Sequence, residues 1–457
     1  MTDTDNTTTT QSNLARFAQV AVERLQSQDP ELYTILDNEY RRQAGVLSMV
    51  ASSSIADPSA LFCEASTAMN VTAEGYPGRR FHAGCRHIDE IEQLAIDRVC
   101  KVFGARYANV QPMTATSANE VVMFSVLKAG DTLLGMELDS GGHLTHGSKA
   151  SLSGQVFKAY GYGLDENERL NYEQARQLAL EHKPKLIICG TTAYAREIDW
   201  SKFRAIADEV GAYVLADITH IAGLVAAGIH PSPIDHAHFT TTCTHKQLYG
   251  GRGGLIMIGK DADTLGPDGK RTLAELSNKM VFPFFQGAPN QSSIAAKARG
   301  MGFVGSPAFK AVAQRVVALS KALAAAFSDK GYRVITGGTD NHIVVVDTFQ
   351  KGMTGVNAEK SIEDCGIIVN KNRIPFDKNP PSVTSGIRLG TNGLAIREME
   401  PSDMAECVDI IHDVLTHTEQ ASHTDYTVDP DTKRRALEAV AELCRRRPIT
   451  TYPPVQD

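Results

Sequence analysis

The sequence predicts an α/β protein with a mainly parallel sheet covered by helices, followed by a smaller α+β domain. Between residues 105 and 260, short apolar runs alternate with stretches of helical periodicity. Such strand–helix alternation is typical of a parallel sheet. Residues 306–330 then form a long alanine-rich helical stretch, followed by further strand and helix candidates. The chain has 457 residues, 42% of them hydrophobic, which allows a core for two domains.

The large domain, with an N-terminal arm, is expected to span residues 13–300. Residues 1–12 are acidic and rich in threonine, a composition typical of a disordered tail. Residues 13–45 and 87–104 have helical periodicity, and the second stretch ends at a glycine. The strand candidates that follow are YANVQP, DTLLGM, KLIICG, AYVLAD and GGLIMIG, and the helix candidates are ANEVVMFSVLKAG, YEQARQLALEH and WSKFRAIADEVG.

The small domain is expected to span residues 301–457, with the boundary near residue 300. After the alanine-rich helix, the apolar runs GYRVITG, HIVVVDT and GIIVN read as strands. Two stretches of helical periodicity, at 401–417 and 430–446, complete the domain. No internal repeat interrupts this order.

Composition and charge exclude several classes of function. The net charge of −7 is spread along the chain without a basic stripe, so nucleic acid is not an expected partner. No apolar run is predicted to span a membrane, and the N-terminus lacks the features of a signal peptide, so we expect a cytoplasmic protein. The eight cysteines form no CxxC pair and are expected to be free thiols. The pair His143 and His146 lacks an evident third ligand, so no metal site is predicted.

The sharpest chemical signal is a lysine before a glycine-rich turn. Residues 240–257 read TTTCTHKQLYGGRGGLIM, with the lysine at position 246. In an α/β enzyme, a lysine in this setting can be partly desolvated and therefore neutral enough to form a Schiff base. Taken alone, this stretch is more typical of a surface lysine beside a glycine turn.

Two further stretches fit the same chemistry. Asp217 ends the apolar run AYVLAD, at the edge of the sheet where ligands bind in such folds. A carboxylate there can pair with the protonated pyridine nitrogen of pyridoxal phosphate. Residues 114–116, Thr-Ala-Thr, are expected to end a strand and open a helix, where backbone N–H groups bind phosphate. A phosphate site, a pyridine partner and a lysine in this order reinforce one another.

The motifs together resemble the serine hydroxymethyltransferase family, whose members are pyridoxal phosphate enzymes of fold type I. The resemblance covers residues from about 35 to 420. It rests on stretches that occur in the family's order: AEGYPGRRF, NVQP, GGHLTHG, THIAGL, TTTCTHK, GRGGLI, QGAP, VNKN and VTSGIR.

The resemblance implies a cofactor role for the residues that match these motifs. Lys246 is expected to carry pyridoxal phosphate as a Schiff base, Asp217 to hold its pyridine nitrogen, and His143 to stack on its ring. The other residues expected to contact the cofactor are Ala115, Thr116, Thr192, His220, His245 and, from a partner subunit, Gly287. A homodimer or homotetramer with shared active sites is therefore implied.

The resemblance also implies sites for an amino acid and for tetrahydrofolate, the cosubstrate. Glu74 matches the family's catalytic glutamate, which handles protons as the hydroxymethyl group moves, and Arg388 matches the arginine that clamps the substrate carboxylate. The other expected substrate contacts are Ser52, Thr72, His82 and Arg252. The residues expected to take part in catalysis are Lys246, Glu74, His143, Thr72 and His82. The expected folate contacts are Glu74, Gly141, Gly142, Leu144 and Asn372.

Several positions depart from the family's pattern, and these departures lie near the expected substrate. Thr72 and His82 stand where the family has tyrosines that crowd the substrate and cofactor. Gln247 follows the lysine in place of a threonine, and Asn392 replaces a proline. The remaining departures are Ser53 and Ser54, in place of glutamate and asparagine, and Gly251, in place of a proline.

The loss of a tyrosine ring at Thr72 opens volume beside the substrate. A packed site rejects an extra methyl group at a cost of roughly 1–3 kcal/mol, and a wider site avoids this cost. The branch of the family that uses α-methyl-L-serine similarly has threonine at this position. The sequence therefore favours transfer of a hydroxymethyl group from α-methyl-L-serine to tetrahydrofolate, giving D-alanine and 5,10-methylenetetrahydrofolate.

Four alternatives stay open at the level of sequence. The first is an ordinary serine hydroxymethyltransferase in which Thr72 and His82 are neutral changes. The second is a folate-independent α-methylserine aldolase, which releases formaldehyde. The third is a non-catalytic binding protein, against which the retained Lys246, Asp217 and Arg388 argue. The fourth is a transaminase of the same fold, against which the folate-site motifs argue.

Overall fold

The computed structural model describes residues 12–455 of the chain. The expected disordered tail, residues 1–12, lies outside the described residues except for Ser12. The side chain of Ser12 accepts a hydrogen bond from the backbone N–H of Ala15 and thereby caps the first helix.

Helices make up most of the regular structure of residues 12–455. In chain order, α1 to α16 are Asn13–Gln28, Pro30–Gly45, Pro58–Glu64, Arg86–Phe103, Ala115–Val126, Leu152–Val156, Tyr172–His182, Trp200–Val210, Ala222–Ala226, Leu273–Lys279, Gln291–Val304, Pro307–Asp329, Gly355–Glu363, Asn392–Ile396, Asp403–Thr416 and Pro430–Arg446. The helices predicted at 172–182, 200–211, 306–330 and 430–446 are confirmed within two residues at each end. The helical segment predicted at 13–45 is two helices, because Asp29 ends the first and caps the second.

The strands form two main sheets and three short pairs. In chain order, β1 to β17 are Leu47–Ser48, Gly75–Tyr76, Arg79–Arg80, Tyr107–Asn109, Thr132–Met136, Lys158–Tyr162, Leu186–Gly190, Tyr213–Asp217, Phe239–Cys243, Gly254–Ile258, Arg333–Val334, Ile343–Asp347, Ile367–Ile368, Asn370–Asn372, Gly386–Gly390, Thr418–Gln420 and Tyr426–Val428. All five strand candidates of the large domain are confirmed.

The large domain is built on a seven-stranded sheet in the order β4-β10-β9-β8-β7-β5-β6. Strand β10 runs antiparallel to both of its neighbours, and the other neighbouring strands are parallel. The predicted mainly parallel sheet covered by helices is therefore confirmed. The parallel strands β7, β8 and β9 end at the same edge, where a ligand site is expected in such a sheet.

Local sequence explains how the helix beside that edge begins. The hydroxyl of Thr114 accepts from the backbone N–H of Ser117, whose own hydroxyl accepts from the N–H of Thr114. This reciprocal cap fixes the start of α5 at Ala115. The predicted helix start at residues 114–116 is confirmed, but β4 ends at Asn109, so five residues separate the strand from the helix.

The small domain is built on a four-stranded antiparallel sheet in the order β11-β12-β15-β14. The predicted boundary near residue 300 falls inside α11, Gln291–Val304, and the break between that helix and α12 lies at Gly305 and Ser306. The structure adds elements that were not predicted: strands β1–β3, β6, β9 and β14–β17, and helices α3, α6, α9–α11, α13 and α14.

The N-terminal arm is tied to the small domain. Strand β1 pairs in parallel with β13, and Nη2 of the buried Arg397 donates to the carbonyl oxygens of Gln43, Ala44 and Val46 at 2.8–3.1 Å. These contacts fix the course of the chain immediately before Ser52.

Helix α12, Pro307–Asp329, is long and apolar enough to cross a membrane by length and composition. The expectation that no apolar run reaches that length is therefore corrected. One face of this helix packs into the main hydrophobic core, through Phe309, Ala313, Val316, Leu319, Leu323 and Phe327. Its length and composition are thus those of a core helix in this fold.

Candidate active site

Asp217 lies at the end of β8 with its side chain buried. Oδ2 accepts hydrogen bonds from Asn119 Nδ2 at 2.8 Å and from His146 Nε2 at 3.1 Å, and Oδ1 accepts from the backbone N–H of Thr219 at 3.0 Å. Burial opposes ionisation, but the hydrogen bond and charge of His146 hold the pKa of Asp217 well below its usual range. The strand end therefore presents a fixed negative charge.

Two histidines accompany this carboxylate. The ligand atoms of His143, His146 and Asp217 lie within 4.8 Å of one another, so Asp217 is the third potential metal ligand that was not evident in the sequence. The hydrogen bond from His146 to Asp217 accounts for the closeness of that pair. His143 is hydrogen-bonded through Nδ1 to the hydroxyl of Thr145 at 2.8 Å, and burial lowers the pKa of His143 to about 4. A neutral imidazole beside the carboxylate suits stacking on an aromatic ring.

Lys246 follows β9 by three residues, and its Nζ lies 2.9 Å from Nε2 of His220. Burial, followed by the charge of Lys246, lowers the pKa of His220 well below its usual value, so the imidazole is neutral. Burial also lowers the pKa of Lys246. The surface-lysine interpretation is thereby replaced by a partly buried amine held against a neutral histidine, a setting that makes a lysine nucleophilic.

Arg388 extends from β15 of the small domain toward the same strand edge. Its Nε donates to Asn370 Oδ1 at 3.0 Å, and Nη1 donates to the carbonyl oxygen of Thr192. The Thr192 hydroxyl donates in turn to the carbonyl oxygens of Gly141 and Gly142 at 3.2 and 3.1 Å. Burial lowers the pKa of Arg388 to about 10, so it is a cation at neutral pH. A fixed guanidinium thus stands near the lysine.

Several buried polar atoms around this group lack a hydrogen-bond partner within residues 12–455: Thr219 Oγ1, His220 Nδ1 and His245 Nδ1. Buried polar groups are normally paired, so such atoms indicate a polar ligand. The first N–H groups of α5, at Ala115 and Thr116, have no intrahelical acceptor and can bind phosphate. Together with the anionic Asp217 and the partly buried Lys246, these groups fit pyridoxal phosphate.

A cavity of about 760 Å³ extends beside this group. Three predicted site residues line it: Ser52, His245 and Arg252. The course of the chain at Ser52 is fixed from the small domain, because His342 Nε2 donates to the carbonyl oxygen of Ala51 at 3.1 Å. Burial, followed by the charge of Arg252, lowers the pKa of His245 to about 4.

Glu74 belongs to a second cluster within the chain. Oε2 of Glu74 lies 3.3 Å from Nε2 of His82, and a side chain placed on Gly287 would meet Oε1 of Glu74 at 3.1 Å. Thr72 is exposed, at the start of the same turn. Within residues 12–455, no hydrogen bond or ion pair joins this second cluster to Lys246, Asp217 or Arg388.

The predicted folate residues other than Glu74 lie on segments that flank Arg388 and Thr192. Gly141 has φ of +101°, and a side chain on Gly142 would meet the carbonyl oxygen of Met136 at 2.1 Å, so this close turn requires glycine. Leu144 is exposed. Asn372 lies on β14, two residues after Asn370, and its Nδ2 donates to the carbonyl oxygen of Arg373 at 2.6 Å.

Sequence reasoning missed several residues that hold the site together. Asn119 and His146 are hydrogen-bonded to Asp217, and Thr145 is hydrogen-bonded to His143. Asn370 is hydrogen-bonded to Arg388. The ring of His342 stacks on that of His220, with 5.9 Å between the ring centroids. His146 and Thr145 belong to the motif GGHLTHG, and Asn370 belongs to VNKN. These three residues could therefore have been found from the motifs. Nothing in the local sequence marks Asn119 or His342.

Comparison with known proteins agrees with this geometry. A family model described as serine hydroxymethyltransferase matches residues 25–411. Two proteins named serine hydroxymethyltransferase, from two strains of Leptospira biflexa serovar Patoc, are each 48% identical over 394 residues, which cover 86% of this chain and 92% of theirs. The family consists of pyridoxal phosphate enzymes that use tetrahydrofolate as a cosubstrate. This chain belongs to the serine hydroxymethyltransferase family.

Proposed function

We propose that this enzyme interconverts L-serine and glycine by exchanging the hydroxymethyl group with tetrahydrofolate. The observation that carries the proposal is one group of side chains at the edge of the sheet. The partly buried Lys246 lies against a neutral His220, with the anionic Asp217 and the cationic Arg388 beside them. The 48% identity to proteins named serine hydroxymethyltransferase favours serine over the α-methyl-L-serine that the sequence departures favoured.

Pyridoxal phosphate would be held by the residues that the family resemblance assigns. Lys246 would bind it covalently, Asp217 would hold its ring nitrogen, His143 would lie on its ring, and Ala115 and Thr116 would bind its phosphate. The remaining contacts would come from Thr192, His220, His245 and the Gly287 of a partner subunit. When bound, pyridoxal phosphate supplies an electron sink for the bond that breaks at the substrate's α-carbon.

The chain's own side chains prepare the amine and the substrate. Burial favours the neutral, reactive form of the Lys246 amine, and His220 holds that amine in place at 2.9 Å. Arg388 is held by Asn370 and by the Thr192 carbonyl, so its remaining N–H groups can bind the substrate carboxylate in a fixed orientation. Ser52 and Arg252, which line the adjoining cavity, are further contacts for the amino acid.

Glu74 would accept and return the proton of the substrate hydroxyl while the hydroxymethyl group moves to tetrahydrofolate. The cluster of Glu74, His82 and Gly287 supports a shared site, because the resemblance has Gly287 reaching in from a partner subunit. The partner that supplies Gly287 would then also supply Glu74, His82 and the neighbouring Thr72. We therefore propose a homodimer or homotetramer whose active sites lie between subunits.

The folate would lie against the segments beside Arg388. Gly141, Gly142 and Leu144 form a close turn with an exposed leucine, and Asn372 lies on the strand next to the one that carries Arg388.

We also propose that the protein works in the cytoplasm. The eight cysteines are all free in the described chain, which supports a reducing compartment.

A second candidate substrate is α-methyl-L-serine, with D-alanine as product. The observation in its favour is that Thr72 and His82 occupy positions where the family has tyrosines. His82 lies beside the carboxylate of Glu74, so one of the two changes directly adjoins the proposed proton carrier. The same substrate could also be cleaved without folate, in an aldolase reaction that releases formaldehyde and D-alanine.

The experiment supplies the cofactor-loaded protein with each amino acid, with and without tetrahydrofolate, and identifies the products. Our proposal expects glycine and 5,10-methylenetetrahydrofolate from L-serine, at a higher kcat/KM than D-alanine from α-methyl-L-serine. A higher kcat/KM for α-methyl-L-serine would establish the second candidate, and free formaldehyde without folate would establish the aldolase.

A further inference from the structure

Glu74 immediately precedes a tight hairpin formed by β2 and β3. Gly75 has φ of +95°, and a side chain there would meet the carbonyl oxygen of Arg79 at 2.4 Å, so only glycine fits. The carbonyl oxygen of Glu74 accepts from the backbone N–H of Phe81 at 3.1 Å. The hairpin thus sets the backbone at Glu74, although the carboxylate itself is partly exposed.

One buried guanidinium binds the backbone on both sides of Glu74. Arg80 Nη1 donates to the carbonyl oxygen of Ala73 at 3.1 Å and to that of Gly75 at 2.8 Å. The Arg80 side chain is only 3% exposed. A single side chain therefore holds the carbonyl groups of the two residues that flank Glu74, with the planar, rigid fork that only arginine offers.

The other nitrogens of Arg80 are anchored to helix α4. Nε donates to Asp89 Oδ1 at 2.8 Å, and Nη2 donates to Glu92 Oε2 at 2.6 Å. Glu92 is 1% exposed and also accepts from Gln111 Nε2 at 2.7 Å. The charge of Arg80 is thus matched inside the protein, and its guanidinium ties the hairpin to helix α4.

The same network reaches Gly287. Gln111 Nε2 also donates to the carbonyl oxygen of Gly75 at 2.9 Å, and the carbonyl oxygen of Gln111 accepts from Gln286 Nε2 at 3.0 Å. Gln286 directly precedes Gly287, which lies beside the Glu74 carboxylate. The network therefore sets the hairpin and the Gly287 loop relative to each other.

We infer that Arg80 is a positioning residue for Glu74, holding it in the geometry needed for the folate-dependent transfer; this inference rests on the proposed function. Arg80 acts through the carbonyl groups of Ala73 and Gly75 and touches neither amino acid nor folate. A displacement of about 1 Å in a reacting group can cost about a hundredfold in rate. The loss should therefore appear in the step that uses Glu74 and not in steps that use Lys246 alone.

The test compares two readouts on the cofactor-loaded, full-length protein. The first is exchange of the α-proton of glycine with solvent deuterium, which depends on Lys246 and Arg388. The second is tetrahydrofolate-dependent cleavage of L-serine, which also depends on Glu74. Because Arg80→Met leaves Glu92 buried without its cation, the main variant is the double substitution Arg80→Met/Glu92→Gln. Arg79→Met, an exposed arginine one position earlier, is the matched control.

We expect the double variant to lose about a hundredfold in kcat for serine cleavage while glycine exchange stays within about threefold of the wild type. Glu74→Gln should show the same split, and combining it with Arg80→Met/Glu92→Gln should add less than threefold further loss. Arg80→Lys should fall between the wild type and the double variant, and Arg79→Met should match the wild type.

Two results would overturn the inference while the proposed function stands. One is a parallel loss of both readouts in the double variant, which is the pattern of a purely structural role. The other is a full, multiplicative loss when Glu74→Gln is added, which would show that Arg80 does not act through Glu74. A failure of the proposed function gives a different result, since wild-type protein would then lack serine cleavage altogether.

Discussion

The side-chain amide of Gln247 donates a hydrogen bond to Oδ1 of Asn392 at 3.2 Å. Both side chains are buried, and Asn392 Nδ2 donates in turn to the carbonyl oxygen of Ala51 at 3.3 Å. These two residues are departures from the family's pattern, which has threonine and proline at the corresponding positions. Since they contact each other across the two domains, they form one coupled change. The pair connects the residue after Lys246 with the residue before Ser52.

The coupling predicts a specific pattern of stability. Gln247→Thr leaves Oδ1 of the buried Asn392 without its donor, which should lower the free energy of unfolding by about 1–3 kcal/mol. Asn392 is the first residue of α14, where proline is well tolerated. The double variant Gln247→Thr/Asn392→Pro should therefore be more stable than Gln247→Thr alone. The coupling is measured by urea unfolding of the wild type, Gln247→Thr, Asn392→Pro and the double variant. If the two single changes in the free energy of unfolding simply add in the double variant, the coupling is contradicted.

Lys246→Ala should abolish hydroxymethyl transfer, because no other amine is held against His220 in the described chain. Lys260→Ala, which removes an exposed lysine, serves as the control and should retain wild-type turnover. Steady-state assays with L-serine and tetrahydrofolate make the comparison. Appreciable turnover by Lys246→Ala in cofactor-saturated assays would remove the lysine from the proposed mechanism.

Arg388→Lys should weaken binding of the amino acid. Lysine keeps the positive charge but loses the planar fork that Asn370 and Thr192 hold in place. The lost charge-assisted hydrogen bond predicts a decrease of about tenfold to a hundredfold in kcat/KM for L-serine. The KM for tetrahydrofolate, measured in the same series, should change little; a selective rise in the folate KM would argue against the proposed role.

Thr72→Tyr should discriminate between the two candidate substrates. Thr72 is exposed within the subunit, so a tyrosine ring can be accommodated without disturbing the core. If the open volume at Thr72 admits an α-methyl group, the substitution should lower kcat/KM for α-methyl-L-serine more than that for L-serine. The ratio of the two values is the measurement, and equal losses would exclude a methyl pocket at Thr72.

The stability of the protein should fall as the pH decreases from neutral to 5. Burial lowers the pKa of His342 to about 3, against about 6.5 in an unfolded chain. Between these values the unfolded state binds a proton that the folded state does not, so the free energy of unfolding falls as the pH decreases below 6.5. This histidine alone accounts for about 2 kcal/mol at pH 5.

His342→Gln should reduce that loss, and His423→Gln, at an exposed position, should leave it unchanged. Urea midpoints at pH 8 and pH 5 measure the difference for each protein. The same pH dependence in His342→Gln and in the wild type would show that His342 is not its source.

The apolar strands and the capped helices could be predicted from the sequence because their signals are local. Strand β8 is an uninterrupted apolar run, and α5 has its Thr114–Ser117 cap within four residues. Strand β9 was missed because its interior is Thr-Thr-Thr, whose burial comes from neighbours on both sides. Strand β15 was missed because it begins and ends with glycine; a side chain on Gly390 would meet Ala51 Cα at 2.4 Å, a constraint visible only in the folded chain.

The residues of the candidate site also fall into those that local sequence could predict and those that it could not. Asp217 and the start of α5 could be predicted because Asp217 ends a recognisable strand and Ala115 opens a recognisable helix. Lys246 could be predicted because it precedes a glycine-rich turn. Asn119 could not be predicted, because its partner Asp217 lies 98 positions away. The separate cluster of Glu74, His82 and Gly287 was also beyond sequence reasoning, since motifs give the members of a site without saying which of them one subunit brings together.

The central claim, that the Lys246 site acts on serine and glycine, is tested most directly by α-proton exchange. The cofactor-loaded enzyme is incubated with tetrahydrofolate in deuterated buffer with glycine or with D-alanine, and loss of the α-proton signal is followed by NMR. We predict that glycine exchanges faster than D-alanine and that Lys246→Ala exchanges neither. Faster exchange of D-alanine than of glycine would contradict the claim and identify α-methyl-L-serine as the substrate.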